Sequence, residues 1–270
     1  MKVVLFCGGL GTRIREYSES IPKPMIPVGN QPILWHLMNY YSQYGHNDFV
    51  LCLGYKANII KEFFLNYKPQ IYTDCVVSKY SSKVELLNPP KDDWRVALID
   101  TGIWRNIGQR LWAVRHQVED EKIFLANYSD GLTDVNLDDM VAKFKKSGKI
   151  GCFLAIRPPL TYHLADIDPT GRVREFRSSD RSEIWINGGY FLFRREIFDY
   201  MRDGEELVLE PFQRLIEQDQ LLAYKHDGFW RSMDTLKDRQ VLEDMVEQGQ
   251  MPWRVSVEPK KKAALLAVAR

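Results

Sequence analysis

Two short segments near the start of the chain have the residue types that phosphate chemistry needs. The first is Gly8-Gly9-Leu10-Gly11-Thr12-Arg13, directly after the apolar run Val3 to Phe6. Glycines there let backbone N–H groups come close to an anion, and Arg13 adds a fixed positive fork. The segment is not a P-loop, because it lacks the Gly-Lys-Ser/Thr ending. It is not a clean dinucleotide fingerprint either, because Ile14 stands where Gly or Ala is wanted. A plain glycine turn between strand and helix would look the same. The second segment is Ile21-Pro22-Lys23-Pro24-Met25. Prolines on both sides of Lys23 restrict its backbone and deny it a helix. A lysine so held can present its ammonium to a phosphate at low entropic cost, although an exposed loop lysine would share the pattern. Two carboxylates complete the set. Asp130 follows the apolar run Ile123 to Ala126, where open α/β sheets bind ligands. Asp234 lies in MDTLKD just before a helical pattern. The ordinary alternatives are a turn carboxylate for Asp130 and a helix N-cap for Asp234.

The elements that would position these groups alternate. Short apolar runs at Val3–Phe6, Phe49–Leu53, Val96–Asp100, Ile123–Ala126 and Cys152–Ile156 read as buried strands, and Val76-Val77 as a further one. Helical spacing is found at Pro32–Tyr44, with Gly45 to end it, and at Asn58–Leu65, Arg110–Val118 and Leu137–Lys146. Such alternation implies a Rossmann-like parallel (or mixed) sheet with helices on both faces. Beyond it, strands at Val173–Phe176 and Ile184–Phe193 and helices at Glu205–Gln218 and Leu236–Glu247 form a C-terminal α/β addition. We expect one domain over 1–253, with its core at about 1–160, an acceptor-binding and C-terminal part at about 161–253, and an unassigned tail at 254–270.

Composition sets the class. The chain has 270 residues, 45% of them hydrophobic, enough to bury roughly three quarters of the surface its unfolded form exposes. Net charge is +1, so no global excess argues for nucleic acid or an anionic membrane; a charged substrate needs a local pocket. Cys7, Cys52, Cys75 and Cys152 form no CxxC pair and sit in apolar segments, as expected of reduced core residues and not of a zinc site or disulfide framework. No apolar run approaches the ~18 residues of a membrane helix, and Met1 to Gly9 is short for a secretory leader. A cytoplasmic protein is expected.

The glycine segment, the Pro-Lys-Pro element and Gly29-Asn30-Gln31-Pro32 together resemble the sugar-1-phosphate nucleotidyltransferases, which join a nucleoside triphosphate to a sugar 1-phosphate and release pyrophosphate. The resemblance runs to about Trp253. Its details are most similar to the cytidylyltransferase members. They are WRVALIDTG at 94–102, Gly108-Gln109-Arg110-Leu111, Tyr128-Ser129-Asp130-Gly131, Asn187-Gly188-Gly189, and the segment Gly228 to Thr235 containing Trp230. The resemblance implies CTP as the favoured donor, with GTP, UTP or dTTP as alternatives read by loops near Leu10 and Lys79 to Ser81. It implies Mg²⁺ between Asp130 and Asp234, catalytic Lys23 and Arg13, and Arg110 near the nucleotide beside Gly8, Gly9, Leu10, Gly11 and Thr12. Asn187 and Trp230 would contact the sugar. Related enzymes carry Glu-Lys-Pro shortly before Asn-Gly-Gly, and that lysine binds the sugar phosphate. Here the stretch reads Glu175-Phe176-Arg177-Ser178-Ser179-Asp180. Arg177 or Arg181 could replace the lysine; otherwise the acceptor is not glucose 1-phosphate but a cyclitol or modified-sugar phosphate. A homo-oligomer is expected. The competing class is a non-catalytic nucleotide- or sugar-binding regulator, against which the joint presence of Lys23, Asp130 and Asp234 argues.

Overall fold

The structure is a computed structural model, and it describes residues 1–80, 83–87, 93–158, 163–178 and 184–254. One seven-stranded sheet organises it. Its strands are β1 (Val3–Phe6), β2 (Asp48–Leu53), β3 (Arg95–Asp100), β4 (Ile123–Asn127), β5 (Gly151–Ile156), β6 (Ile186–Arg194) and β7 (Leu221–His226). Their spatial order is β7-β5-β6-β4-β1-β2-β3. All neighbours run parallel except β6, which is antiparallel to both β4 and β5. The sheet is therefore mixed, and the expected C-terminal addition supplies two of its strands.

β1 shows why the sheet is central. Val3 and Leu5 are fully buried on one face with Cys7, and Val4 and Phe6 are buried on the other. A strand with no polar face must be covered on both sides. The first face packs against α1 (Ile33–Gln43), α2 (Ala57–Leu65), α4 (Leu137–Ser147) and α6 (Leu236–Glu247). The second packs against α3 (Ile107–Ala113) and α5 (Glu210–Glu217). Cys7, Cys52 and Cys152 are buried free thiols in these layers, and Cys75 is a partly buried one.

Several expected elements differ. The helix expected over 110–118 begins at Ile107, because Asn106 caps it reciprocally with Gln109; after Ala113 it gives way to a separate turn, Arg115–Val118. The helix expected from Glu205 starts only at Glu210, because Pro211 in its first turn has no N–H to give and disfavours helical backbone before it. The strand expected from Ile184 starts at Ile186. Val76-Val77 lies outside the main sheet, in a two-stranded ribbon of Cys75–Ser78 with Lys83–Leu86. Among the described residues no helix is long and apolar enough to cross a membrane. Residues 255–270 of the tail, and Ser81, lie outside the described residues.

Candidate active site

The carboxyl ends of β1, β3 and β4 open onto a cleft of about 550 Å³. The glycine segment forms one wall through Gly9, Leu10, Gly11, Thr12 and Arg13. Gly11 has φ +64°, where a Cβ would be strained. Gly8 lies behind the wall, against Arg110. A Cβ on Gly8 would sit 2.0 Å from an Arg110 terminal nitrogen, so only glycine fits there.

Arg110 explains how the wall is held. It is 2% exposed, and its guanidinium donates to the carbonyls of Gly8 (2.9 Å), Leu53 (3.2 Å), Gly102 (2.8 Å) and Ile103 (3.1 Å), and to Thr101 Oγ1 (2.8 Å). It ties together the segments that follow β1, β2 and β3. Burial pulls its pKa down from the ordinary guanidinium value. The side chain lines the cleft, but its donors are aimed at protein carbonyls.

Lys23 packs against the same wall, its Cβ 3.3 Å from where a Cβ on Gly11 would stand. Pro22 and Pro24 do not exclude helical backbone altogether, because Lys23–Met25 forms one 3-10 turn with Pro24 in its first positions. Nor is Lys23 an exposed loop residue, being only 9% accessible. Its Nζ donates to Asp130 Oδ2 and to Asp234 Oδ1, both at 2.7 Å. Desolvation alone would lower its pKa, but Asp130 and Asp234 outweigh this and raise it, so the ammonium stays charged. Arg13, whose side chain is 72% exposed, adds a second cation 3.1 Å from the same Asp234 oxygen.

Local structure frees both carboxylates from the ordinary roles open to them. Asp234 does not cap α6: Thr235 does, accepting the Asp238 N–H while Asp238 reaches back to the Thr235 N–H. Asp234 instead accepts Ser232 Oγ–H at 2.9 Å. Burial would raise its pKa, but Lys23, Ser232 and Arg13 together hold it below 3.8. Asp130 does not cap α4, which Asn136 caps. It follows Ser129, a buried non-glycine at φ +62°. That conformation is costly, and three bonds fix it: Asn127 Oδ1 accepts the Ser129 N–H, and Ser129 Oγ–H reaches the carbonyls of Phe6 and Tyr128, all at 2.7 Å. A short ribbon then pairs Gly131–Thr133 with Trp230–Ser232, and Met233 N–H donates to the Asp130 carbonyl at 2.8 Å. The ribbon brings the two carboxylates onto one ammonium.

Asn187 and Trp230 lie beside the cleft. Asn187 Nδ2 donates to Tyr128 Oη at 3.2 Å, and Trp230 Nε1 donates to the Gly188 carbonyl at 2.8 Å. The backbone of Arg177 belongs to a ribbon of His163–Ile167 with Val173–Ser178. Its side chain, and all of Arg181, lie outside the described residues. Sequence reasoning passed over Tyr128 and Glu206, which line the cleft. Tyr128 carried a signal, standing two residues before Asp130 at a strand end; Glu206 carried none. Burial pushes the pKa of both upward.

A parallel-rich sheet with a glycine wall, an anchored lysine and paired acids at its carboxyl edge defines a phosphate-transfer protein. The chain belongs to the nucleotidyl transferase family, whose profile matches residues 2–239. It is 38% identical to glucose-1-phosphate cytidylyltransferase of Salmonella typhi over 256 residues, covering 94% of this chain and 99% of that one. It is 34% identical to the probable glucose-1-phosphate cytidylyltransferase of Bacillus subtilis, covering 94% of this chain and 100% of that one. In fold it is similar to UDP-glucose pyrophosphorylase complexed with UDP-glucose, with TM-score 0.66 at 12% identity over 92% of this chain and 98% of that one.

Proposed function

We propose that the chain transfers the cytidylyl group of CTP to a sugar 1-phosphate of the glucose 1-phosphate type, forming a CDP-sugar and pyrophosphate. The observation that carries this reading is the single ammonium of Lys23 held 2.7 Å from each of two carboxylates at the cleft. The cytidylyltransferase relatives support the choice of base and acceptor. GTP, UTP and dTTP remain the alternative donors, and a cyclitol or modified-sugar phosphate the alternative acceptor.

An oxygen of the acceptor phosphate attacks the α-phosphorus, and the bond to the departing pyrophosphate breaks in line. The attacking oxygen is already ionised at neutral pH, so no general base is needed. Gly9 to Arg13 would receive the triphosphate, and Lys23 would meet the charge that develops on it. Asp130 and Asp234 offer Mg²⁺ the hard carboxylate oxygens it prefers; the point where they meet is held here by the Lys23 ammonium, so they would take up the ion, with phosphate oxygens completing its shell, once Lys23 turns to the triphosphate. Bound there, Mg²⁺ would neutralise phosphate charge. Asn187 and Trp230, with Arg177 or Arg181, would receive the acceptor, and Arg110 would act on the nucleotide through the wall it holds.

A matrix of CTP, GTP, UTP, dTTP and ATP against several sugar 1-phosphates, read by pyrophosphate release with and without Mg²⁺, tests the reading. CTP should dominate and chelator should abolish release; no release from any pair would leave the regulator reading. A homo-oligomer is supported by the exposed apolar side chains Leu65, Ile71 and Val77, and light scattering would test it.

A further inference from the structure

The loop after β3 carries an aromatic side chain that the fold does not use. Trp104 lines the cleft and is 83% exposed. It makes no hydrogen bond, ring contact or cation contact among the described residues. An indole left in water forgoes the large apolar burial that aromatic side chains usually supply, so stability does not account for it. Its loop is nevertheless held at both ends. Asp100 Oδ1 accepts the Gly102 N–H at 2.9 Å, and Arg110 donates to the carbonyls of Gly102 and Ile103 at 2.8 Å and 3.1 Å. On the far side Asn106 caps α3, and its Nδ2 donates to the Gly204 carbonyl at 2.9 Å. Trp104 and Arg105 are the tip between these anchors.

The anchors also fix where the tip stands relative to the phosphate-binding groups. Arg110 Nη2 is shared between the carbonyls of Gly8 (2.9 Å) and Ile103 (3.1 Å), so the residue before Trp104 sits beside the start of the glycine wall. Lys23 sits at the other end, against Gly11, and Arg13 shares Asp234 with it. Gly8 and Gly11 are three residues apart, at most about 10 Å along the chain. A nucleotide laid along the wall with its phosphates towards Lys23 and Arg13 therefore has its base towards Trp104. Sheet order keeps this end clear of the acceptor side. Trp104 follows β3, two strands from β1 in one direction, and Asn187 lies on β6, two strands from β1 in the other.

We propose that Trp104 is the stacking platform for the nucleobase of the bound nucleotide. The proposal rests on the nucleotide reading of the cleft. Every base has a π-face, so stacking on an aromatic side chain supplies affinity without choosing among bases. Trp104 thus acts alike on CTP and UTP, and the choice between them falls to groups that meet the edge of the base.

The test titrates CTP, UTP, inorganic tripolyphosphate and glucose 1-phosphate calorimetrically into the full chain with Mg²⁺. Wild type, Trp104→Ala and Trp104→Phe are compared, and the oligomeric state of each is read by sedimentation. Trp104→Ala should weaken CTP and UTP by a common factor of about 5- to 150-fold, the change expected for loss of one base–aromatic stack. Trp104→Phe keeps an aromatic face and should recover most of that loss. Tripolyphosphate, which has no base, and glucose 1-phosphate should bind both variants within about twofold of wild type. The proposal is overturned if CTP binds Trp104→Ala as well as wild type, or if tripolyphosphate is weakened as much as CTP. It is also overturned if Trp104→Ala loses affinity only by breaking up an assembly, since the indole would then cover a second copy of the chain. Binding is read without turnover. A wild type that binds CTP in this way but releases no pyrophosphate would refute the transferase reading and leave the platform standing, and one that binds no nucleotide would overturn both.

Discussion

Lys23 and Asp234 stand 211 residues apart in the chain, and their side chains meet at 2.7 Å. The contact closes only when β1, the ribbon from Gly131 and the start of α6 are all in place, so the site is a product of the whole fold. Asp130 meets the same Nζ at the same distance, and the removal of Lys23 would leave two carboxylates facing each other without their shared cation.

Lys23→Met should therefore reduce both activity and stability. We expect kcat to fall by about 10²-fold or more, as for loss of a preorganised charge at a transition state. Lys23→Arg should rescue poorly, because a planar fork does not replace a compact ammonium. The stability effect has a pH signature. Asp234 is held below its ordinary 3.8 in the folded state, so its contribution is present above that pH and lost as pH falls through the lowered value. Lys23 is held above 10.5, so its contribution is present below that pH and lost as pH rises through the raised value. The melting-temperature deficit of Lys23→Met should be flat across neutral pH and shrink in acid. A deficit that persists unchanged once the pH has fallen below the lowered Asp234 value would mean that it comes from packing.

Asp234 and Thr235 are neighbours with separable roles, and two substitutions should show it. Thr235→Ala removes the cap of α6 and should cost about 1 kcal/mol of stability with little change in kcat. Asp234→Asn should do the reverse, with kcat down by about 10²-fold and a smaller change in melting temperature. Equal losses of stability and activity in both variants would contradict this division.

How much of this was legible beforehand depends on the range of the interaction. Strands such as Val3–Phe6 have their runs of apolar residues written locally, and α6 was placed at Leu236–Glu247 from periodicity alone. Lys23, Asp130 and Asp234 were readable as candidates because each stands in a local motif. The burial of Lys23 was not readable, because the acids that compensate it arrive from remote segments. The antiparallel course of β6 was equally hidden, since an apolar run carries no direction. Arg110 reads locally as a helix charge; its structural role depends on glycines at 8 and 54 that leave room for its guanidinium.

Gly8→Ala tests that last relationship. A Cβ 2.0 Å from the Arg110 terminal nitrogen cannot be accommodated without movement. Overpacking of this kind costs about 1–3 kcal/mol, and displacing the guanidinium would loosen the carbonyls of Gly8, Leu53 and Gly102 together. We expect a lower melting temperature and a higher KM for the nucleotide, because the displaced wall is the one that faces it. A Gly8→Ala enzyme with an unchanged nucleotide KM would show that the wall does not depend on the arginine.

His36 should make the fold acid-sensitive at a distance from the cleft. Its Nε2–H donates to the Val28 carbonyl at 2.8 Å, and Nδ1 accepts from Trp253 Nε1 at 3.4 Å. Both nitrogens are thus used by the neutral ring, and burial lowers the pKa from 6.5 to about 4. The unfolded chain takes up this proton first, so stability should fall as pH drops from 6.5 towards 4. His46, lowered over the same range by burial, adds to the slope. Thermal melts of His36→Gln should show a shallower fall between those pH values than wild type. An identical slope would assign the acid sensitivity elsewhere.

Tyr128 couples the cleft to the acceptor side, and its hydroxyl should matter more than its ring. Asn187 has one amide oxygen committed to the Gly189 N–H at 2.9 Å and its amide nitrogen donating to Tyr128 Oη at 3.2 Å. Gly189, at φ +76° with Tyr128 stacked beneath it, fixes the turn that presents the asparagine. Tyr128→Phe keeps the ring packed against Phe191, whose centroid is 5.1 Å away, and removes only the acceptor for Asn187. The amide is then free to rotate before an acceptor arrives. Loss of one neutral hydrogen bond is worth about 0.5–1.5 kcal/mol, or about 2- to 12-fold in an equilibrium constant. The acceptor KM should rise by about that factor, while the nucleotide KM and the melting temperature stay near wild type. Asn187→Ala should raise the acceptor KM further, and the double variant should be no worse than Asn187→Ala alone, since the hydroxyl acts through the amide. Additive losses in the double variant would mean that Tyr128 touches the substrates directly.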